Sequence, residues 1–149
     1  MTRVDFYVLS GAVFPLARKT DVEGTANLDV RNKHLAACKL IHKAYRLGHR
    51  VYLLTQNAGE AETLDQLLWT FAAGSFIPHQ RGDTSDPRVP VVIGHDAPPA
   101  SFNDVLVSLA PEVPPYYERF QRVADIVGGD DADKQRARDR FRFYRDRGC

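Results

Sequence analysis

Residues 133–148 read DKQRARDRFRFYRDRG and hold seven of the chain's twenty basic side chains: Lys134, Arg136, Arg138, Arg140, Arg142, Arg145 and Arg147. Guanidinium groups interleaved with aromatic rings suit three roles: a grip on single-stranded nucleic acid, a solvated helix face, or a socket for an acidic protein partner. Drawn as a helix, Ala137, Phe141 and Tyr144 make a stripe that can pack on a sheet. Lys134, Arg138, Arg142 and Arg145 then run along its flank, with Phe141 at the boundary between apolar and basic. Arg136, Arg140, Phe143 and Arg147 fall on the far side. A merely solvated face would mix signs, whereas beyond Asp133 at the helix start only Asp139 and Asp146 oppose the seven cations. The pattern therefore favours an anionic partner and leaves open whether that anion is a nucleic acid or an acidic peptide.

Other chemistry finds little support. The segment SGAVFPLARKT (10–20) has a single glycine, and QNAGEAET (56–63) again has one glycine and no lysine. Neither can build the glycine-rich loop whose N–H groups cradle phosphates. GGDDAD (128–133) reads as a turn followed by acids at a helix start, where the dipole favours them. His34, His42, His49, His79 and His95 include no i, i+4 pair, and neither cysteine has a C-x-x-C partner, so no metal site is expected. The serines lack a nucleophile elbow. No catalytic constellation and no cofactor site emerge.

These residues sit in a 149-residue chain, enough for one domain spanning 1–149 with a real core. The formal net charge is only +1, so any affinity for an anion rests on clustering. Two cysteines, Cys38 in an apolar helical pattern and Cys149 at the end, argue against a disulfide and for a reducing compartment. The N-terminal residues are charged where a signal peptide needs an apolar run, and no stretch reaches membrane-span length. A cytoplasmic protein is expected.

The elements that must position the basic stretch follow from periodicity. VDFYVLS (4–10), RVYLLTQ (50–56), VPVVIG (89–94), DVLVSLA (104–110) and RVADIVGG (122–129) read as strands. Helices are predicted from about Leu28 to Leu47, where Val30, Leu35, Cys38, Ile41 and Ala44 recur at helical spacing and Gly48 ends the run, and from Asn57 to Phe71, with Asn57 as N-cap and Glu60 three positions on. VPPYYERFQ (113–121) is a short helix and the basic stretch a last one. HQRGDTSDPR (79–88) is read as a loop. Continuous apolar strands alternating with helices predict an α/β three-layer sandwich with a mostly parallel sheet.

On the second helix Leu64, Leu67, Leu68 and Phe71 share a face, and Trp69, the only tryptophan, lies more than ~100° from its middle. Phe76, Ile77 and Pro78 follow in a loop. Trp69 marks either a protein interface or a contact within its own domain.

DFYVLS, LDQLLWTFAAGSFIPH (64–79), VPVVIG, DVLVSL and DKQRARDRFRFYR occur in an order and spacing that resembles the chi subunit of bacterial DNA polymerase III holoenzyme over nearly the whole chain. The L-D-x-x-L-W…S-F-x-P-H block and the K-Q-x-A-R tail carry the resemblance. It implies a nucleotide-binding-like fold that binds no nucleotide, and a non-catalytic subunit pairing one-to-one with psi, which tethers it to the clamp loader. It also implies a grip on the acidic C-terminal tail of single-stranded DNA-binding protein, which ends in proline and phenylalanine. By motif, that tail would meet Lys134, Arg138, Phe141 (tyrosine in relatives), Arg142 and Val127, and psi would meet Trp69 and Phe76. Direct DNA contact is at most auxiliary in this reading.

Overall fold

The structure, a computed structural model, describes residues 2–9, 22–71, 77–81 and 88–149, with the first helix's side chains described from Val30 on. Among these residues six strands, β1 (Arg3–Val8), β2 (Val51–Leu54), β3 (His79–Arg81), β4 (Val91–Gly94), β5 (Val105–Ser108) and β6 (Arg122–Val127), form one sheet in the order β1-β6-β5-β2-β4-β3. Every pairing is parallel. Three α-helices among the described residues, α1 (Val22–Arg46), α2 (Ala58–Thr70) and α3 (Asp131–Asp146), complete the layers. The predicted α/β sandwich is the observed one.

The continuous apolar strands are explained by cover on both faces. Ala37, Cys38 and Ile41 of α1 and Ala61, Leu64 and Leu68 of α2 pack against Val51, Leu53, Val91, Ile93, Val105 and Val107. On the opposite face Tyr144 of α3, with Phe102, Tyr117 and Phe120, covers Tyr52, Leu54, Val92, Leu106 and Val123. Burial of the Cys38 thiol pushes its pKa up to about 12, which suits a structural side chain.

Local chemistry sets the ends of the helices. Gly48 at φ +85 closes α1, its N–H donating to the Tyr45 carbonyl; that left-handed conformation is one L side chains rarely adopt. Asn57 Oδ1 accepts from the Glu60 N–H at 2.8 Å, and Glu60 Oε1 accepts in return from the Gln56 N–H at 2.8 Å. The return bond falls one residue before the N-cap, a variant of the predicted box. Asp130 caps α3 through the Asp133 N–H at 2.7 Å.

Several expectations are corrected. α1 begins at Val22 rather than Leu28, and Val30 lies on its exposed side. The segment begun as a loop at His79 opens with β3, a three-residue edge strand too short for alternation to reveal. The predicted helix 113–121 is a 3₁₀ turn, Tyr117–Arg119. The phosphate-loop test segment 10–20 lies outside the described residues.

The largest correction concerns Arg140, placed by the helical wheel on the far side of α3. Its side chain is 4% exposed and forms a two-pronged pair with Asp125 of β6, Nε to Oδ2 at 2.8 Å and Nη2 to Oδ1 at 2.9 Å. The third nitrogen, Nη1, donates to the Pro111 carbonyl at 2.8 Å. Burial raises the Asp125 carboxyl above its ordinary value, and the guanidinium only partly offsets that. Removing one partner strands a buried charge, which costs about 3–5 kcal/mol. Arg140→Leu and Asp125→Leu are each expected to lose stability on that scale in urea unfolding. The double variant should lose markedly less than the two together. Additive losses would show that the pair is not coupled.

Tyr144 beside it is 2% exposed, and its hydroxyl has no hydrogen-bond partner among the described residues. The ring makes edge contacts with Phe6 and Tyr117 at 6.1 and 5.2 Å. Tyr144→Phe keeps those contacts and removes the orphan oxygen. Stability should be unchanged or raised by up to about 1 kcal/mol, and a clear loss in thermal unfolding would reveal a partner for the hydroxyl.

Candidate partner-binding surfaces

α3 turns back along β6 after the Gly128–Asp130 turn. Asp133 takes the Gly128 N–H, Arg140 meets Asp125, and the Phe141 ring meets Phe6 of β1 edge-on at 5.8 Å. Asp133, Ala137, Arg140 and Tyr144 are the buried residues of the helix. Lys134, Phe141, Arg145 and Arg138 fall within a sector of about 60° on the flank toward β1. Phe141 is 51% exposed, so the expected Ala137–Phe141–Tyr144 stripe is buried at its outer members and open at its middle. On the opposite flank Arg147 lies over the Phe143 ring at 3.7 Å and Phe143 meets Tyr117 at 5.8 Å, so Phe143 is partly buried rather than on a far side.

The cations on the β1 flank are lightly engaged. Arg138 Nη1 donates to Gln135 Oε1 at 3.1 Å on the surface. Arg142 stands 3.7 Å from Asp139 with both side chains largely in water, 62% and 65% exposed. Such contacts are worth little and yield readily to a better anion. Asp133, the acid nearest Lys134 in sequence, is held elsewhere: Lys33 of α1 reaches it at 3.1 Å and Arg136 at 3.3 Å. Burial alone would raise its carboxyl, but the Gly128 N–H and the Lys33 ammonium outweigh that and hold it below its ordinary value. Its charge is thereby compensated and offers little repulsion to an approaching anion.

Val127 closes β6 and is 1% exposed. It underlies this region and presents almost no surface. The apolar side chain that does face solvent there is Val8, its register partner on β1, at 56%. Sequence reasoning singled out neither Val8 nor Lys33. The one signal within reach was Asp125, a carboxylate inside the apolar run RVADIV, which demands a buried cation from somewhere in the chain.

Trp69 of α2 is 50% exposed, as its position off the apolar face predicted, yet its ring also packs against His79 at a centroid distance of 4.3 Å. Trp69 is thus packed within its own fold while half of its surface stays exposed. His79 is itself held, Nδ1 at 2.6 Å from the Ile77 carbonyl oxygen and Nε2 at 3.0 Å from that of Asp65. Phe76 lies outside the described residues.

Among the described residues no group of three His, Cys, Asp or Glu side chains converges to hold a metal ion, and no helix is long and apolar enough to cross a membrane.

The family model described as DNA polymerase III chi subunit, HolC, matches residues 1–149. DNA polymerase III subunit chi of Pseudomonas aeruginosa is 39% identical over 148 residues, covering 99% of this chain and 92% of that protein. The Escherichia coli protein of the same name is 33% identical over 110 residues, covering 72% of this chain and 75% of its own length. That of Haemophilus influenzae is 29% identical over 111 residues, with 73% and 77% covered. The chain belongs to the DNA polymerase III chi subunit family.

Proposed function

We propose that this chain is a non-catalytic adaptor of the replicative polymerase, linking psi, and through it the clamp loader, to the acidic C-terminal tail of single-stranded DNA-binding protein. The observation that carries the reading is the flank of α3, where Lys134, Arg138 and Arg142 stand beside the half-exposed Phe141 ring. A planar guanidinium takes a terminal carboxylate in two parallel charge-assisted bonds, while the last aromatic side chain of the peptide lies against apolar surface. Acidic residues upstream would meet the remaining cations and add a salt-sensitive attraction. Phenylalanine at 141 offers a ring but no hydroxyl, so this position contributes contact area rather than a hydrogen bond. The half-exposed Trp69 is the proposed anchor for psi, with Phe76 following it in sequence: a rigid ring already packed against its own fold loses little entropy when a partner covers its exposed surface.

Arg138→Ala should weaken binding of an acidic peptide ending in Pro-Phe by about 1.5–3 kcal/mol, the range for a hydrogen bond to a charged group. Arg147→Ala should cost less. Arg138→Lys should restore only part, since an ammonium lacks the planar fork. Amidating the peptide should harm wild type strongly and the alanine variant hardly at all, read by calorimetry at fixed salt. Additive losses would remove Arg138 from the carboxylate, and tight binding of a single-stranded oligonucleotide with no binding of the peptide would replace the adaptor with a nucleic-acid module.

Trp69→Ala and Phe76→Ala should each weaken the one-to-one complex with psi by about 2 kcal/mol or more while the melting temperature of the isolated chain changes little. Intact pairing with a large fall in melting temperature would return both rings to a role inside the fold.

A further inference from the structure

We propose that Val8, at the end of edge strand β1, forms the apolar wall of the α3 socket and selects a partner peptide ending in an aromatic residue with a free carboxylate. The inference rests on the adaptor reading and assigns to it a residue outside α3. Val127, the strand residue that the family motif points to, is sealed at 1% exposure, whereas Val8 is 56% exposed and sits directly across from it in register.

The axial level of Val8 follows from two fixed points. Asp133 meets Gly128 and Arg140 meets Asp125, so seven helix residues run beside three strand residues. This agrees with rises of about 1.5 Å and about 3.3 Å per residue for helix and strand. Phe6, level with Asp125, touches Phe141. Val8 lies two residues further along β1, on the same side of the sheet as Phe6. That distance corresponds to about four helix residues before Phe141, the turn that carries Ala137 and Arg138. Val8 and Phe141 are two of the five large hydrophobic residues most exposed among those described, and the fold sets both on one flank with Lys134 and Arg138.

The occupant follows from complementarity. Phe6 already receives Phe141 and Tyr144 edge-on at 5.8 and 6.1 Å, so a further ring placed between Phe141 and Val8 continues an aromatic array. The cations along the same flank suit a carboxylate at the end of that residue and acids before it. A purely apolar partner would leave these cations unmatched, and a polyanion without a terminal ring would leave Val8 and Phe141 in water.

The test pairs two labelled acidic peptides, one ending in Pro-Phe and one in Pro-Ala, with wild type, Val8→Thr, Val8→Ile and Arg138→Ala. Val8→Thr keeps the branched shape at a solvent-facing strand position, and matched melting temperatures check the fold. The expected result is that Val8→Thr weakens the phenylalanine peptide at least threefold and leaves the alanine peptide unchanged. Val8→Ile should retain wild-type affinity, and Arg138→Ala should weaken both peptides. Equal effects of Val8→Thr on both peptides, or none on either, with Arg138→Ala still effective, would overturn the role of Val8 and leave the adaptor reading standing. Failure of wild type to bind either peptide would overturn both. Dimerisation of wild type in sedimentation that is lost in Val8→Thr would give this strip to a second copy of the chain and overturn the inference.

Discussion

Asp125 stands in the middle of β6 with valines, an isoleucine and an alanine for neighbours, and at 1% exposure it has lost essentially all its water. A lone carboxylate there would cost several kcal/mol. Arg140 answers with two aligned donors and spends a third on the Pro111 carbonyl, so each of its three nitrogens has an acceptor. Unlike apolar packing, this pair tolerates neither a slide of α3 by one turn nor a rotation about its axis. The helix is therefore set in register and in azimuth at once, and the azimuth decides which side chains face β1. The cations beside Phe141 are where they are because a different arginine of the same stretch is buried.

This division of labour explains what the sequence could and could not tell. The sheet was legible because strands covered on both faces carry unbroken apolar runs, and α2 because Asn57 and Glu60 signal its start. β3 was not, since three residues hold no period. The seven cations read as one population, yet Arg140 is internal, Arg136 is drawn to Asp133 and Arg147 lies over Phe143, while Lys134, Arg138, Arg142 and Arg145 remain on the outer side of the helix. A helical wheel cannot separate these groups, because the buried sector of a helix is set by what it lands on. Trp69 was legible for the opposite reason: it is absent from the apolar face, and the structure bears that out while adding His79 as its support. Val8 was invisible because an apolar residue at the end of an apolar strand looks like core.

Parallel sheets usually keep their ligands in a crevice beyond the carboxyl ends of the strands. Here the end of β6 is occupied from within. The Gly128 N–H, which in a nucleotide site would face a phosphate, is taken by the Asp133 carboxylate, and Lys33 closes over it from the other side of the sheet. The proposed recognition lies instead on the flank of a helix, where an extended peptide can lie along the surface without entering the fold.

Edge strand β1 has β6 as its neighbour in the sheet, with Arg3 aligned to Arg122 and Val8 to Val127, and Thr2 bonds the Phe120 carbonyl across 118 residues of sequence. During synthesis the first strand must wait until almost the entire chain has emerged before its neighbour exists. The helix that completes the socket is made later still. Contacts this distant in sequence form last and slowly. A chain terminated before β6 lacks α3 with its cations and leaves β1 without its neighbour in the sheet. The order of manufacture thus leaves the first strand unpaired until the last stretch of the chain is made.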